Sequence, residues 1–310
     1  MSNTASRMNL PEQFSKTITD TFGDEGKEFL NQLPKLIEHW ELEWGIFCLP
    51  PYPNLSYNYV APADRPDSTE LVLKLGVPNA ELTFEVEALR FYGGRGAVRL
   101  VRARADQGAV LLERIRPATP LSDLGDDDAA TEIAAQVMRE LWRPAPENSS
   151  FPTVEQWAAG MRKLRENFGG RTGPFDAKLV DLSERLFEDL IPSQGERVLL
   201  HGDLHHYNIV QDHLRGWLAI DPKGVIGERE YEVGALLRNP VPQVFTWPDL
   251  EQITARRIDQ LAELLDFDKQ RLIKWAMAQA VVSAWWSYED STGGIEEMMR
   301  LAGIFARMIK

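Results

Sequence analysis

Alternation of apolar and polar side chains predicts strands over residues 68–76 (STELVLKLG), 97–104 (AVRLVRAR) and 109–115 (AVLLERI). Between the first two, residues 80–92 (AELTFEVEALRFY) set Leu82, Val86, Leu89 and Phe91 at helical spacing in a stretch rich in glutamate and alanine. Gly93 and Gly94 supply its stop. The first third therefore reads as strands with one helix. After RPATP (116–120) helical patterns dominate, at about 128–142, 153–168 and 176–190, and again at about 231–238, 248–265, 268–288 and 294–309. Two short strands, 197–200 (RVLL) and 217–221 (WLAID), interrupt them. This order predicts an α+β chain of two lobes: a small β-rich lobe over 1–115 and a larger helical lobe over 116–310. A ligand is expected in the cleft between them.

Composition narrows the partners. The 310 residues are 44% hydrophobic, enough for a sizeable core. Lysine and arginine number 34 against 47 acidic residues, for a net charge of -13. That balance argues against nucleic acid or an anionic membrane and suits a cationic ligand. No stretch approaches the roughly 20 apolar residues of a membrane span, and MSNTASRMNL has no apolar signal-peptide core. Cys48 is the single cysteine, so no internal disulfide forms; a reducing cytoplasm fits, and Cys48 is expected as a small buried hydrophobe.

The chemistry lies in HGDLHHYN (201–208) and WLAIDPKG (217–224). Phosphoryl transfer from a nucleotide needs a carboxylate at the acceptor hydroxyl, oxygen ligands for magnesium, and a lysine on the phosphates. The pattern H-x-D-x-x-x-x-N, followed by a further aspartate after the next strands, meets those needs. Asp203 and Asn208 have that spacing, and Asp221 emerges at the end of WLAI. Upstream, Lys74 lies on the strand VLKL, and Glu85 on the following helix is the expected brace, with Glu87 as the alternative. Leu89, one turn beyond Glu85, favours Glu85.

These stretches, as VLLHGDLHHYNIV and GWLAIDPKGVIGEREYEVGALLRNP, resemble the aminoglycoside phosphotransferase superfamily, and within it the branch of streptomycin 6-kinases and hydroxyurea phosphotransferases. The resemblance is strong over about 197–240 and weaker from LVLK (71–74) through LLERI (111–115) to the C-terminal helices. It implies a two-lobed protein-kinase-like fold and an intracellular, cytoplasmic enzyme. Such an enzyme moves the terminal phosphoryl of ATP or GTP, with Mg2+, to a hydroxyl of a small-molecule acceptor. Carried across, Asp203 is catalytic, Asn208 and Asp221 bind the metal, Lys74 grips the phosphates with Glu85 behind it, and Glu113 to Ile115 form the hinge that reads the nucleotide base. His201 braces the catalytic loop. A streptomycin-like aminoglycoside is the expected acceptor, with hydroxyurea, another small metabolite, or a non-catalytic nucleotide-binding protein as alternatives. A monomer is expected.

Several departures point away from a protein kinase. Gly202 replaces the loop arginine, and DPKG stands where D-F-G would. The phosphate-covering loop should lie near 50–60, but PPYPNLSYNYV has no glycine, leaving backbone amides and Ser56 as donors. The glycines of YGGRGAV (92–98) follow the lysine and read as a helix-to-strand turn. His201, His205, His206 and His213 do not have zinc-ligand spacing; His205 and His206 are expected to line the acceptor pocket. The acidic run SDLGDDDAATE (122–132) reads as a helix cap and first turn. In AWWSYED (284–290), one of Trp285 and Trp286 should pack in the core. Glu289 and Asp290, unfavourably placed at a helix C-terminus, are candidate substrate contacts. Lys223 and Glu228 either touch substrate or pair with each other.

Overall fold

The computed structural model describes residues 10–290 and 293–310. Nearly all of the MSNTASRMNL segment, read above for a signal peptide, lies outside the described residues. The contacts divide the chain into two compact units, one ending at Arg116 and the other beginning at Pro117.

The first unit holds α1 (Glu12–Trp44), β1 (Phe47–Cys48), β2 (Tyr59–Asp64), β3 (Glu70–Leu75), α2 (Ala80–Tyr92), β4 (Leu100–Arg104) and β5 (Ala109–Glu113). The strands form one antiparallel sheet in the order β1-β2-β3-β5-β4. Side chains alternate across a strand. Tyr59, Ala61 and Ala63 of β2, Leu71, Leu73 and Leu75 of β3, and Ala109 and Leu111 of β5 share one core with Phe14, Ile18, Phe29, Leu33, Ile37, Trp40 and Trp44 of α1. Lys74, between Leu73 and Leu75, therefore leaves the sheet on the opposite face.

α1 overturns the expectation of a single helix in this third of the chain. Gly23, Gly26 and Pro34 break its pattern in the sequence. Gly23 takes φ 58° and ψ -127°, so α1 is two helical segments joined at a kink. At Gly26 a Cβ would lie 2.3 Å from the Ile18 carbonyl oxygen; glycine there permits the close turn. α2 follows its reading: the Asn79 side chain accepts from the Leu82 amide at its start, and Gly93 closes it at φ 60°. Cys48 is buried.

The second unit carries β6 (Pro117–Pro120), α3 (Asp127–Leu141), α4 (Val154–Ala158), α5 (Gly160–Asn167), α6 (Ala177–Leu190), β7 (Arg197–Leu200), β8 (Ile209–Asp212), β9 (Gly216–Ala219), β10 (Val225–Glu228), α7 (Val233–Leu237), α8 (Leu250–Leu265), α9 (Lys269–Glu289) and α10 (Ile295–Met308). The helix expected over 153–168 is two, broken at Ala159. The helix expected over 231–238 is the short α7 after one 3-10 turn. α9 is buried on nearly every side between Leu272 and Trp285 and packs against α5, α6, α7, α8 and α10. Asp126 caps α3 by accepting from the Asp128 and Ala129 amides, as the acidic run suggested. Its neighbour Asp127 goes further and binds Arg256 and the buried Arg257 of α8. No helix among the described residues is long and apolar enough to cross a membrane.

Two small sheets frame the loops that matter. β7 pairs with β10, and β6-β8-β9 form the other. The chain passes from β7 through 201–208 into β8, and from β9 through 220–224 into β10. Both loops are thus anchored at each end by paired, buried strands.

Candidate active site

In the second unit, backbone and buried side chains hold the 201–208 loop. Glu232, 1% exposed, accepts the His201 amide at 2.7 Å and the Gly202 amide at 2.9 Å. The His201 ring is buried, with Nε2 2.8 Å from the Ile220 carbonyl, and Nδ1 accepts the Asp203 amide at 3.3 Å. That pair of bonds assigns the proton to Nε2. Burial keeps His201 neutral, pushing it down to about 4. The His201 carbonyl accepts from the Lys223 and Gly224 amides at 2.8 and 3.1 Å, tying the two loops together.

Gly202 has φ 86°, a left-handed conformation that side chains rarely adopt. A Cβ there would also lie 2.8 Å from the Trp157 ring. Glycine at this position is required locally, whatever it means for regulation.

Asp203 follows. Its side chain is 31% exposed, with Oδ2 3.6 Å from His205 Nε2 and Oδ1 3.9 Å from Arg238 Nη2. Burial pushes the carboxyl up, but His205, Arg238 and Lys223 outweigh it and hold Asp203 below the ordinary carboxylate range. An ionised carboxylate on such a loop is suited to orienting a hydroxyl. Asn208 Nδ2 donates to the Asp203 carbonyl at 2.9 Å, and the Ile220 amide donates to the Asn208 carbonyl at 2.9 Å. Asp221, next along, is exposed and takes φ 57°, which aspartate tolerates better than most residues. With its amide nitrogen engaged, Asn208 keeps its oxygen for a ligand. Asn208 and Asp221 thus offer the few hard oxygens that Mg2+ takes from protein when phosphates and water supply the rest.

In the first unit, Lys74 Nζ lies 2.7 and 2.8 Å from the two Glu85 carboxylate oxygens. They are 4% and 6% exposed, so the charges are matched where water is scarce. Glu85 is a partner of Lys74, as expected. The 49–58 connection is a hairpin zipped by Leu49 N–H to Pro62 O at 2.8 Å and Tyr52 N–H to Val60 O at 3.0 Å. Three prolines stiffen it and Ser56 is exposed at its tip. Glu113 ends β5 and its carboxylate accepts the Arg99 amide at 2.6 Å, while Ile115 is buried.

Other sequence expectations change. His206 does not line an open pocket: it is 2% exposed, with Nε2 3.3 Å from Arg257 Nη2. Burial and that guanidinium push it down to about 3. Glu228 neither pairs with Lys223 nor faces solvent. It is 2% exposed, salt-bridged to Arg271 at 2.6 Å, and bonded to Trp275 Nε1 and the Gly195 amide. Trp285 packs in the core while Trp286 is half-buried. Glu289 and Asp290 are exposed at the end of α9.

Glu232 and Arg238 belong to no motif in the sequence. Both lie in the apolar run around VGALL, where a charged residue must be paired to be buried, and that was the available signal. Burial pushes Glu232 up to about 7 from 4.5, with its backbone partners opposing and Asp203 adding to the rise. The folded state therefore holds an extra proton between those values, and stability falls as pH rises through that window. The wild type should lose roughly 3 kcal/mol from this group between about pH 5 and about pH 8. Urea unfolding at both pH values should show a flatter dependence in Glu232→Gln. Equal slopes in the two proteins would refute the assignment.

Residues 56–291 match the family described as aminoglycoside/hydroxyurea antibiotic resistance kinase. The chain belongs to that family. It is a phosphotransferase of the kind that uses a hydroxyl acceptor. It is 27% identical to the streptomycin 6-kinase of Streptomyces glaucescens, over 95% of each chain. It is 31% identical to the hydroxyurea phosphotransferase of Kitasatospora aureofaciens, over 94% of this chain and 83% of that one. Among solved structures, choline kinase LicA from Streptococcus pneumoniae superposes with a TM-score of 0.62 at 12% identity, covering 89% of this chain and 99% of that one. Aminoglycoside phosphotransferase APH(4)-Ia, as a ternary complex with ADP and hygromycin B, superposes with a TM-score of 0.61 at 12% identity, covering 88% and 98%. These place the protein in the kinase-like fold.

Proposed function

We propose that the protein transfers the terminal phosphoryl group of ATP or GTP to a hydroxyl of a streptomycin-like aminoglycoside in the cytoplasm, working as a monomer and on neither nucleic acid nor membrane. The observation that carries this reading is Asp203, a carboxylate kept ionised by His205 and Arg238 in a loop whose amides Glu232 fixes. In this role Asp203 aligns the acceptor hydroxyl for in-line attack and takes up its proton late. Lys74 neutralises phosphate charge, and Glu85 keeps its ammonium in one place. Asn208 and Asp221 would hold Mg2+, which when bound neutralises charge on the phosphates. The tip of the 49–58 hairpin, with the Ser56 hydroxyl and neighbouring amides, supplies phosphate donors in place of a glycine loop, and backbone from Glu113 to Ile115 reads the base.

Hydroxyurea is the second reading, favoured by the 31% identity to a hydroxyurea phosphotransferase. The test is transfer of labelled phosphate from ATP or GTP with Mg2+ to streptomycin, other aminoglycosides, hydroxyurea and small metabolites. Streptomycin-dependent turnover at least tenfold above nucleotide hydrolysis alone is expected. Turnover of hydroxyurea alone would replace the acceptor. Binding of magnesium nucleotide, read as a thermal shift, without transfer to any acceptor would overturn the aminoglycoside assignment.

A further inference from the structure

From Trp275 to Val282 every side chain of α9 is buried, and all but Gln279 are apolar. Gln279 is 1% exposed. A buried amide costs free energy unless it is hydrogen-bonded. Both ends of this one are: Oε1 accepts from Arg238 Nη1, and Nε2 donates to the Tyr231 carbonyl at 3.3 Å. Turning the amide over would set donor against donor and acceptor against acceptor, so its orientation is fixed. Gly234 of α7 leaves room for it, since a Cβ there would lie 1.8 Å from Gln279 Oε1. Glycine is a poor helix former, and space for this amide is a reason to find it inside α7.

Arg238, at the end of α7, is buried as well, and its fork divides. Nη1 meets Gln279, while Nη2 lies 3.9 Å from Asp203 Oδ1. His205 Nε2 lies 3.6 Å from the other Asp203 oxygen. A guanidinium keeps its charge in a protein, and a buried one is ordinarily matched by a carboxylate. Gln279 accepts a hydrogen bond from Arg238 but brings no charge. The guanidinium is therefore held in place at one end without being neutralised there, and the carboxylate it faces is Asp203. Little water screens that attraction. Buried polar pairs are seldom needed for stability alone, because apolar residues of similar volume serve as well. Convergence on Asp203 gives this pair another use.

We propose that Arg238 and Gln279 are positioning residues for phosphoryl transfer: Gln279 aims the guanidinium, and the guanidinium fixes the Asp203 carboxylate in the direction that meets the acceptor hydroxyl. This rests on the catalytic reading of Asp203 above. Both residues act through Asp203, not on acceptor or nucleotide. A neutral amide at 279 is essential to the arrangement, because a carboxylate there would compete with Asp203 for the same charge.

The test is transfer of labelled phosphate from Mg-ATP to streptomycin, hydroxyurea and water by the full chain, with the Kd for Mg-ATP measured alongside. Gln279→Glu keeps the shape of the side chain and adds the competing charge. It should lower kcat by about tenfold or more and leave that Kd within about threefold. Arg238→Met should lower kcat by about a hundredfold, and Arg238→Lys, which keeps the charge, should retain about fivefold more turnover than Arg238→Met. In an Asp203→Asn background, Gln279→Glu and Arg238→Met should each change turnover by less than about threefold, because the group through which they act has lost its charge. A merely structural role predicts the same losses in both backgrounds, and that result would overturn the proposal. So would a wild-type kcat in Gln279→Glu, or equal losses in the two Arg238 variants. Should Gln279→Glu fail to fold, the Arg238 variants and their Asp203→Asn counterparts decide. Wild-type-like turnover in Asp203→Asn, or a wild type that turns over Mg-ATP with none of the three, would remove the catalytic reading of Asp203 and this proposal together. A large loss in Asp203→Asn with none in Gln279→Glu and Arg238→Met would remove this proposal alone.

Discussion

Asp203→Asn should lower kcat for phosphoryl transfer by about 10²–10⁴ while leaving the dissociation constant for magnesium nucleotide within a few-fold of wild type. The substitution keeps the size of the side chain and removes its charge. Arg238 and His205, at 3.9 and 3.6 Å, then face an amide in place of a carboxylate, and the acceptor hydroxyl loses its ionic partner. The loop itself should survive. His201 and Gly202 donate to Glu232, and Asn208 donates to the Asp203 carbonyl, bonds that do not involve the Asp203 carboxylate. Glu232 should become easier to ionise, because the Asp203 charge contributes to its raised value. Steady-state turnover together with nucleotide titration checks this. Turnover within tenfold of wild type would remove Asp203 from the catalytic role.

Glu85→Ala should destabilise the protein by about 3–5 kcal/mol, because it removes a carboxylate that meets the buried Lys74 ammonium at 2.7 and 2.8 Å. The pair need not be strongly stabilising for this to hold. Taking two charges out of water offsets most of their attraction, so replacing both by apolar groups is often neutral. The double variant Lys74→Met with Glu85→Met should therefore recover most of the stability lost in Glu85→Ala and none of the activity. Urea unfolding of the three proteins, with turnover measured alongside, separates the two roles. A Glu85→Ala protein as stable as wild type would show that the buried pair is not the constraint described.

Local pattern was enough wherever one element carried its own signal. Strand alternation put Leu71, Leu73 and Leu75 on one face and Lys74 on the other, and helical spacing put Glu85 one turn before Leu89. Their union at 2.7 Å follows from adjacent elements with a short connection. The same is true of Asp203, Asn208 and Asp221, whose spacing is set by a single loop and a single hairpin. α1 was lost because Gly23, Gly26 and Pro34 interrupt its periodicity, while the packing of Phe14 to Trp44 against the sheet overrides them. β1, of two residues, is too short to have a period at all, and β6 is the segment PATP, whose two prolines hide a strand.

What the sequence determined by itself was the class of chemistry, because an ordered set of lysine, glutamate, aspartate and asparagine at kinase spacing has few other uses. It also determined which residue braces the lysine. Only the tertiary structure decided the surroundings that tune those groups. Glu232 lies 29 residues beyond Asp203, and Trp157 lies 45 residues before Gly202. Arg257 comes from α8 to face His206, and Glu228 turns inward to Arg271 instead of toward Lys223. No periodicity links such positions. Burial, charge pairing and the direction a side chain takes on leaving its helix depend on how distant segments pack, and that packing is settled by the whole core at once.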